Sequence, residues 1–110
     1  MEPGELLKPE QSLTAPNGKY TFVYQWDGNL VLYRNTDSQP LWESGTKGKP
    51  LGVVTLQADG NLVMYDIRFD PLWSSDTAGN PGSRLLVQDD GNVVIYRTHA
   101  ASTWSTDTKQ

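Results

Sequence analysis

A ten-residue pattern recurs three times in this chain at an almost constant interval, and that recurrence limits the fold more than any other feature. Tyr24-Gln25-Trp26-Asp27-Gly28-Asn29-Leu30-Val31-Leu32-Tyr33 returns 32 residues later as Leu56-Gln57-Ala58-Asp59-Gly60-Asn61-Leu62-Val63-Met64-Tyr65. After a further 31 it returns as Val87-Gln88-Asp89-Asp90-Gly91-Asn92-Val93-Val94-Ile95-Tyr96. Trp42, Trp73 and Trp104 keep the same beat, 31 residues apart. Three like units in a chain of 110 residues form one domain, 1–110, with repeats at about 11–45, 46–76 and 77–110.

Each unit reads as β structure. β-branched and aromatic residues crowd Tyr20 to Gln25 and Leu30 to Tyr33, and Asp-Gly between such runs is a hairpin signal. Gly or Pro interrupts every window with helical apolar spacing, so an all-β class is expected. About 31 residues have room for four short strands, giving about twelve in all. Asn35 to Gln39, Gly45 to Pro50 and Thr77 to Ser83 are expected to be surface linkers. The ends, before Gln11 and after Ser105, are less regular; they could fray, close the last sheet or pair with another chain. Three equivalent sheets bury their inner faces only against one another, as a triangular prism with the three Trp at its centre. Each indole N–H there needs an acceptor.

Alternation along a strand puts Leu30 and Leu32 on one face and Asn29, Val31 and Tyr33 on the other. The first face varies among the copies and remains apolar, as a core may. The second is identical in all three. Gln25, Asp27, Asn29, Val31 and Tyr33 are therefore expected to form an outward patch, with the valine facing solvent. Gln57, Asp59, Asn61, Val63 and Tyr65 repeat it, as do Gln88, Asp90, Asn92, Val94 and Tyr96. Turn formation explains Asp, Gly and Asn but not the fixed Gln and Tyr. A carboxylate, two amides, a phenol and a small apolar surface match a polyol, whose adjacent hydroxyls both donate and accept.

Other chemistry is poorly supported. Without cysteine there is no disulfide, thiolate nucleophile or thiolate zinc site. His99 is the only histidine, so a Ser-His-Asp triad or a zinc centre has little to build on, and a surface loop is its expected place. No cofactor or metal is expected. Asp89 and Asp90 adjoin, face opposite sides and cannot flank one glycosidic bond, so no enzymatic activity is expected. A net charge of -4 argues against nucleic acid as partner, and no apolar run approaches the ~20 residues that span a bilayer. Met1 to Gln11 does not resemble a secretory leader, because Glu2, Pro3, Glu5, Lys8 and Pro9 break it up; a mature secreted form remains open. Trp26, where the other copies have Ala58 and Asp89, is expected to pack beside its hairpin; the other reading is that it extends the first site.

The triplicated Gln-x-Asp-x-Asn-x-Val-x-Tyr resembles the signature of the bulb-type (monocot) mannose-binding lectins, from about Gln11 to Trp104. The resemblance implies a β-prism II of three four-stranded antiparallel sheets, with mannose and mannose-containing glycans as partners at up to three shallow sites. It implies that Asp27 and Asn29 bind O2, Gln25 O3 and Tyr33 O4, with Val31 on the ring carbons, and likewise in the other two copies. It also implies a homodimer through exchange of the C-terminal strand. Typical plant members place a half-cystine where Gly28 stands, so this chain reads as a cysteine-free member. The competing classes are a structural or protein-binding prism module and a sugar-targeted antimicrobial or defence protein.

Overall fold

The hairpin turn of each repeat is set by its glycine. In the computed structural model, which describes residues 1–98 and 101–110, Gly28, Gly60 and Gly91 have φ of 89°, 89° and 88°. Each donates its N–H to the carbonyl of the Gln three residues earlier, at 3.0, 2.9 and 3.1 Å. That Gln in turn donates its N–H to the Asn carbonyl. Asp-Gly thus lies inside a three-residue loop that ends in a left-handed glycine, one of the usual hairpin connections. A side chain at position 28 would also collide: its Cβ would lie 2.7 Å from the Lys49 carbonyl oxygen.

The first sheet has the order β2 (Ser12–Thr14), β3 (Tyr20–Tyr24), β4 (Leu30–Arg34), β5 (Gln39–Glu43). The second runs β1 (Leu6–Leu7), β6 (Gly52–Leu56), β7 (Leu62–Asp66), β8 (Pro71–Ser74). The third is β9 (Arg84–Val87), β10 (Val93–Tyr96), β11 (Ser102–Ser105). Every pairing is antiparallel. The extents of 36 × 36 × 18 Å, two long and equal and one short, suit three sheets set around one axis.

Inner faces meet at that axis as the alternation requires. Phe22, Tyr24, Leu30, Leu32, Val54, Leu56, Leu62, Met64, Val93 and Ile95 are wholly buried. Burying each such side chain contributes roughly 1.5–3 kcal/mol. Tyr24 keeps its phenol satisfied by accepting the Gly52 N–H at 3.0 Å. Trp42, Trp73 and Trp104 form a closed edge-to-face triad, with ring centroids 5.4–5.8 Å apart. They pack on the core but are only half-buried. No acceptor for their indole N–H groups is found among the described residues, and no buried side-chain nitrogen lacks a partner there.

A bulge in each sheet explains how adjacent residues share the core. β4 pairs with β5 as Leu32↔Trp42 and then Tyr33↔Pro40, which leaves Leu41 extra. Leu72 and Thr103 are the extra residues in the other sheets. The bulge turns Leu41 and Trp42, neighbours in sequence, both toward the core. Strict alternation does not predict this.

The strand count differs from four per repeat: the first repeat holds four strands, β2 to β5, the second and third hold three each, and Leu6–Leu7, before the first repeat, supplies the outer position of the second sheet. Ser12–Thr14 lies along β3, and Leu6–Leu7 lies along β6. Met1 exchanges both backbone hydrogen bonds with Leu85 on β9, at 2.6 and 2.9 Å. One stretch of chain therefore visits all three sheets, and its first residue begins to close the last. The described residues make eleven strands, with three rather than four in the third sheet. The linkers also depart from expectation: Thr46, Thr77 and Ser83 are buried. The tail after Ser105 does not fray: the Thr106 N–H bonds to the Val93 carbonyl, and the Gln110 N–H to that of Asp90. His99, expected in a surface loop, lies outside the described residues.

Candidate carbohydrate site

Within each copy the five repeated residues fall into two bonded pairs and a valine. Gln25 Nε2 donates to the Tyr33 hydroxyl at 2.5 Å, and Gln57 bonds to Tyr65 in the same way. In the third copy the Gln88 amide satisfies both ends when turned over. Tyr96 then donates to Gln88 Oε1 at 2.5 Å, while Nε2 faces the Asp90 carboxylate at 3.2 and 3.3 Å. Asp27, Asp59 and Asp90 each accept, through Oδ1, the N–H of the Asn two residues on, at 3.0 Å. This local bond is the usual turn habit of Asp. Gln and Tyr thus share a groove edge, while Asp and Asn form its turn.

Two members are less open than the alternation suggests. Val31, Val63 and Val94 are on the outer face, outside the central core cluster, yet only 2%, 3% and 4% exposed. The expected solvent-facing valine is therefore buried. Asn29 is 4% exposed, and its two counterparts are half-buried. Its side chain turns beneath the hairpin rather than into the open patch.

The cause is a clamp that the strand pattern did not single out. Asn29 Oδ1 accepts from Ser44 Oγ at 3.1 Å and from the Thr46 N–H at 3.2 Å. Thr46 Oγ1 donates to the Gly28 carbonyl at 2.7 Å. Ser75 and Thr77 repeat these bonds on Asn61 and Gly60. Thr106 and Thr108 do so on Asn92 and Gly91. The residue between each pair, Gly45, Asp76 or Asp107, has φ of 72°, 60° or 59°, a region tolerated by Gly and Asp. A signal was present: Trp-x-Ser/Thr-x-Thr follows the Trp beat at 42, 73 and 104. The third clamp lies in the tail, which is why the tail is held. In the first repeat the same loop lies against Gly28, where the resemblance implies a half-cystine; hydrogen bonds fasten it here.

With Oδ1 committed, each Asn presents Nδ2 as its remaining donor. No buried side-chain polar atom among the described residues is orphaned, so Nδ2, which has no protein partner among them, keeps some contact with solvent. On the groove the Asp carboxylate accepts, and the Gln amide and Tyr hydroxyl follow. Gln25, Asp27 and Tyr33 line an open hollow of about 470 Å³ with Glu10, Val23 and Trp26. Gln88 and Tyr96 line one of about 430 Å³ with Arg84, Leu86 and Arg97. Both volumes fall within the range of small-molecule sites. Trp26 does not pack beside its hairpin as expected: it is 65% exposed. Asp89 turns away from the groove, accepting the Asn17 N–H at 2.8 Å.

No family profile matches the chain. It is 43% identical over 60 residues to the B-type lectin plumieribetin of Scorpaena plumieri, 54% of this chain and 50% of that protein. The match spans about half the length of that curated relative. Solved structures align over much more. Monomeric monocot mannose-binding lectins from Gastrodia elata superpose with a TM-score of 0.90 at 36% identity, over 100% of this chain and 97% of theirs. The mannose-specific agglutinin of snowdrop, Galanthus nivalis, solved with methyl-α-D-mannoside, superposes at 0.79 with 37% identity, over 100% and 96%. The three sheets are thus a β-prism II. With identity above a third along essentially the whole length, the chain belongs to the bulb-type, or monocot, mannose-binding lectin family.

Proposed function

We propose that this chain is a non-catalytic lectin for mannose and mannose-terminated glycans, acting as one domain with up to three sites. The observation that carries the proposal is the recurrence of one hydrogen-bonded arrangement, Gln to Tyr and Asp to Asn with a buried valine, three times. The turn and its clamp account for the repeated Asp and Asn, but packing gives no reason for all three outer faces to carry the Gln–Tyr pair. Asp and the free Asn Nδ2 together suit one hydroxyl, as acceptor and donor, and Gln and Tyr suit its neighbours. The mannoside bound to the related snowdrop agglutinin supports mannose as the sugar.

An open groove of this kind holds a single hexose at about -4 kcal/mol, a dissociation constant near millimolar. Useful avidity then comes from several sites on one glycan or surface. Asp89, fixed to Asn17, leaves Asp90 without a second carboxylate across a scissile bond, which supports binding without hydrolysis. A homodimer through C-terminal strand exchange, which the resemblance implies, would swap the segment after Trp104 into the contacts that the tail makes here with its own chain. Calorimetry with methyl α-mannoside and methyl α-glucoside tests the function. Millimolar binding of the mannoside with clear preference over the glucoside is expected. No heat from the mannoside at tens of millimolar would reject it.

A further inference from the structure

We propose that the first site continues into a second-sugar subsite formed by the indole of Trp26 and the carboxylate of Glu10. The subsite would take the next hexose of a mannose-containing oligosaccharide. This rests on the first site being a mannose site, and adds to it what the other two copies lack.

Trp42, Trp73 and Trp104 spend their indoles on one another and on the core. Trp26 is 65% exposed, on the turn that carries Asp27. Its position is fixed, not frayed. The Trp26 N–H is held by Glu10 Oε1 at 2.9 Å, and the flanking Gln25 is tied to Asn29 and Gly28 across the turn. Glu10 itself, in the turn between β1 and β2, has a φ of 71° and donates its N–H to the Tyr24 carbonyl at 2.6 Å, which brings its carboxylate to the hairpin turn. Its Oε2 has no protein partner among the described residues. Glu10 and Trp26 line the same hollow as Gln25, Asp27 and Tyr33, so a chain leaving the first site along it meets both.

The chemistry fits a sugar ring. One face of a hexose exposes C–H groups that pack on an aromatic plane, and its rim exposes hydroxyls that a carboxylate accepts. An exposed indole beside a polar grip provides the first and Glu10 Oε2 the second. At the same place the second copy has Ala58, without a ring, and the third has Asp89, engaged by Asn17. The subsite therefore belongs to the first copy alone.

The test isolates that copy with Asp59→Ala and Asp90→Ala in the full chain and compares Trp26 with Trp26→Ala. Methyl α-mannoside and the α1→2, α1→3 and α1→6 mannobioses are titrated by calorimetry and followed by tryptophan emission. At least one mannobiose is expected to bind about tenfold tighter than the monosaccharide, equivalent to about 1.4 kcal/mol. That advantage and the emission change should both vanish in Trp26→Ala, which should still bind methyl α-mannoside. Monosaccharide binding with no mannobiose advantage, or an advantage that survives Trp26→Ala, would overturn the subsite and leave the first site standing. Failure of every sugar to bind would overturn both.

Discussion

Asn29 Oδ1 accepts the backbone N–H of Thr46 at 3.2 Å, although the two residues are 17 apart in sequence and on different loops. The same contact joins Asn61 to Thr77 and Asn92 to Thr108. It determines which atoms of the repeated Asn are left for a ligand: the oxygen is used by the fold, and the amide nitrogen is left without a protein partner among the described residues.

Thr77→Val tests this division. Valine keeps the shape of the buried threonine but removes its bond to the Gly60 carbonyl at 2.7 Å and its contact with Ser75. An unpaired buried carbonyl costs roughly 1–3 kcal/mol. Thermal or urea unfolding should show a loss of that size, and the second site should weaken because Asn61 is less firmly held. Thr77→Ser should restore both.

Asp59→Ala should remove the second site while the domain continues to unfold cooperatively. The carboxylate is exposed, and its bond within the protein is the turn contact to the Asn61 N–H, a loss of roughly 0.5–1.5 kcal/mol. Calorimetric stoichiometry should fall by one site. Loss of the cooperative melt would make Asp59 structural instead.

Changing Tyr33, Tyr65 and Tyr96 together to Phe removes the hydroxyl that meets Gln in every copy. Each site should lose on the order of 0.5–1.5 kcal/mol of mannoside binding, roughly two- to twelvefold in affinity. Equal affinity in the triple variant would remove the tyrosines from the site.

Leu7→Ala probes the wrap of the N-terminal segment. Leu7 is 5% exposed and belongs to the core, on the short strand that completes the edge of the second sheet. Truncation should cost about 2–4 kcal/mol by chemical denaturation. A loss below about 0.5 kcal/mol, the level of an ordinary surface change, would mean the wrap contributes nothing.

Much of this architecture was legible because the chain states it three times. The hairpins, the inner Leu30 and Leu32 with their counterparts, and the Trp triad follow from period and alternation. The rest depends on contacts that such patterns do not encode. Bulges at Leu41, Leu72 and Thr103 break the alternation beside the site tyrosines, and a period-two reading passes over them. The valines lie on the expected face yet are buried, which parity alone cannot report. The outer strand of the second sheet comes from Leu6–Leu7, before the first repeat, and among the described residues the third sheet has three strands, so counting four strands per repeat misses both. The clamp was readable in principle, since Ser44, Ser75 and Thr106 share the Trp beat. Its target became evident only once Asn29 was seen turned beneath its hairpin.

The most direct test of the central claim is to follow the side-chain amide resonances of Gln25, Gln57, Gln88, Asn29, Asn61 and Asn92 by NMR during titration with methyl α-mannoside. Saturable shifts at all three sets of amides, with millimolar midpoints and little change at the Trp42, Trp73 and Trp104 indoles, are predicted. Amides that stay unmoved at tens of millimolar, or shifts gathered at the tryptophan triad instead, would contradict it.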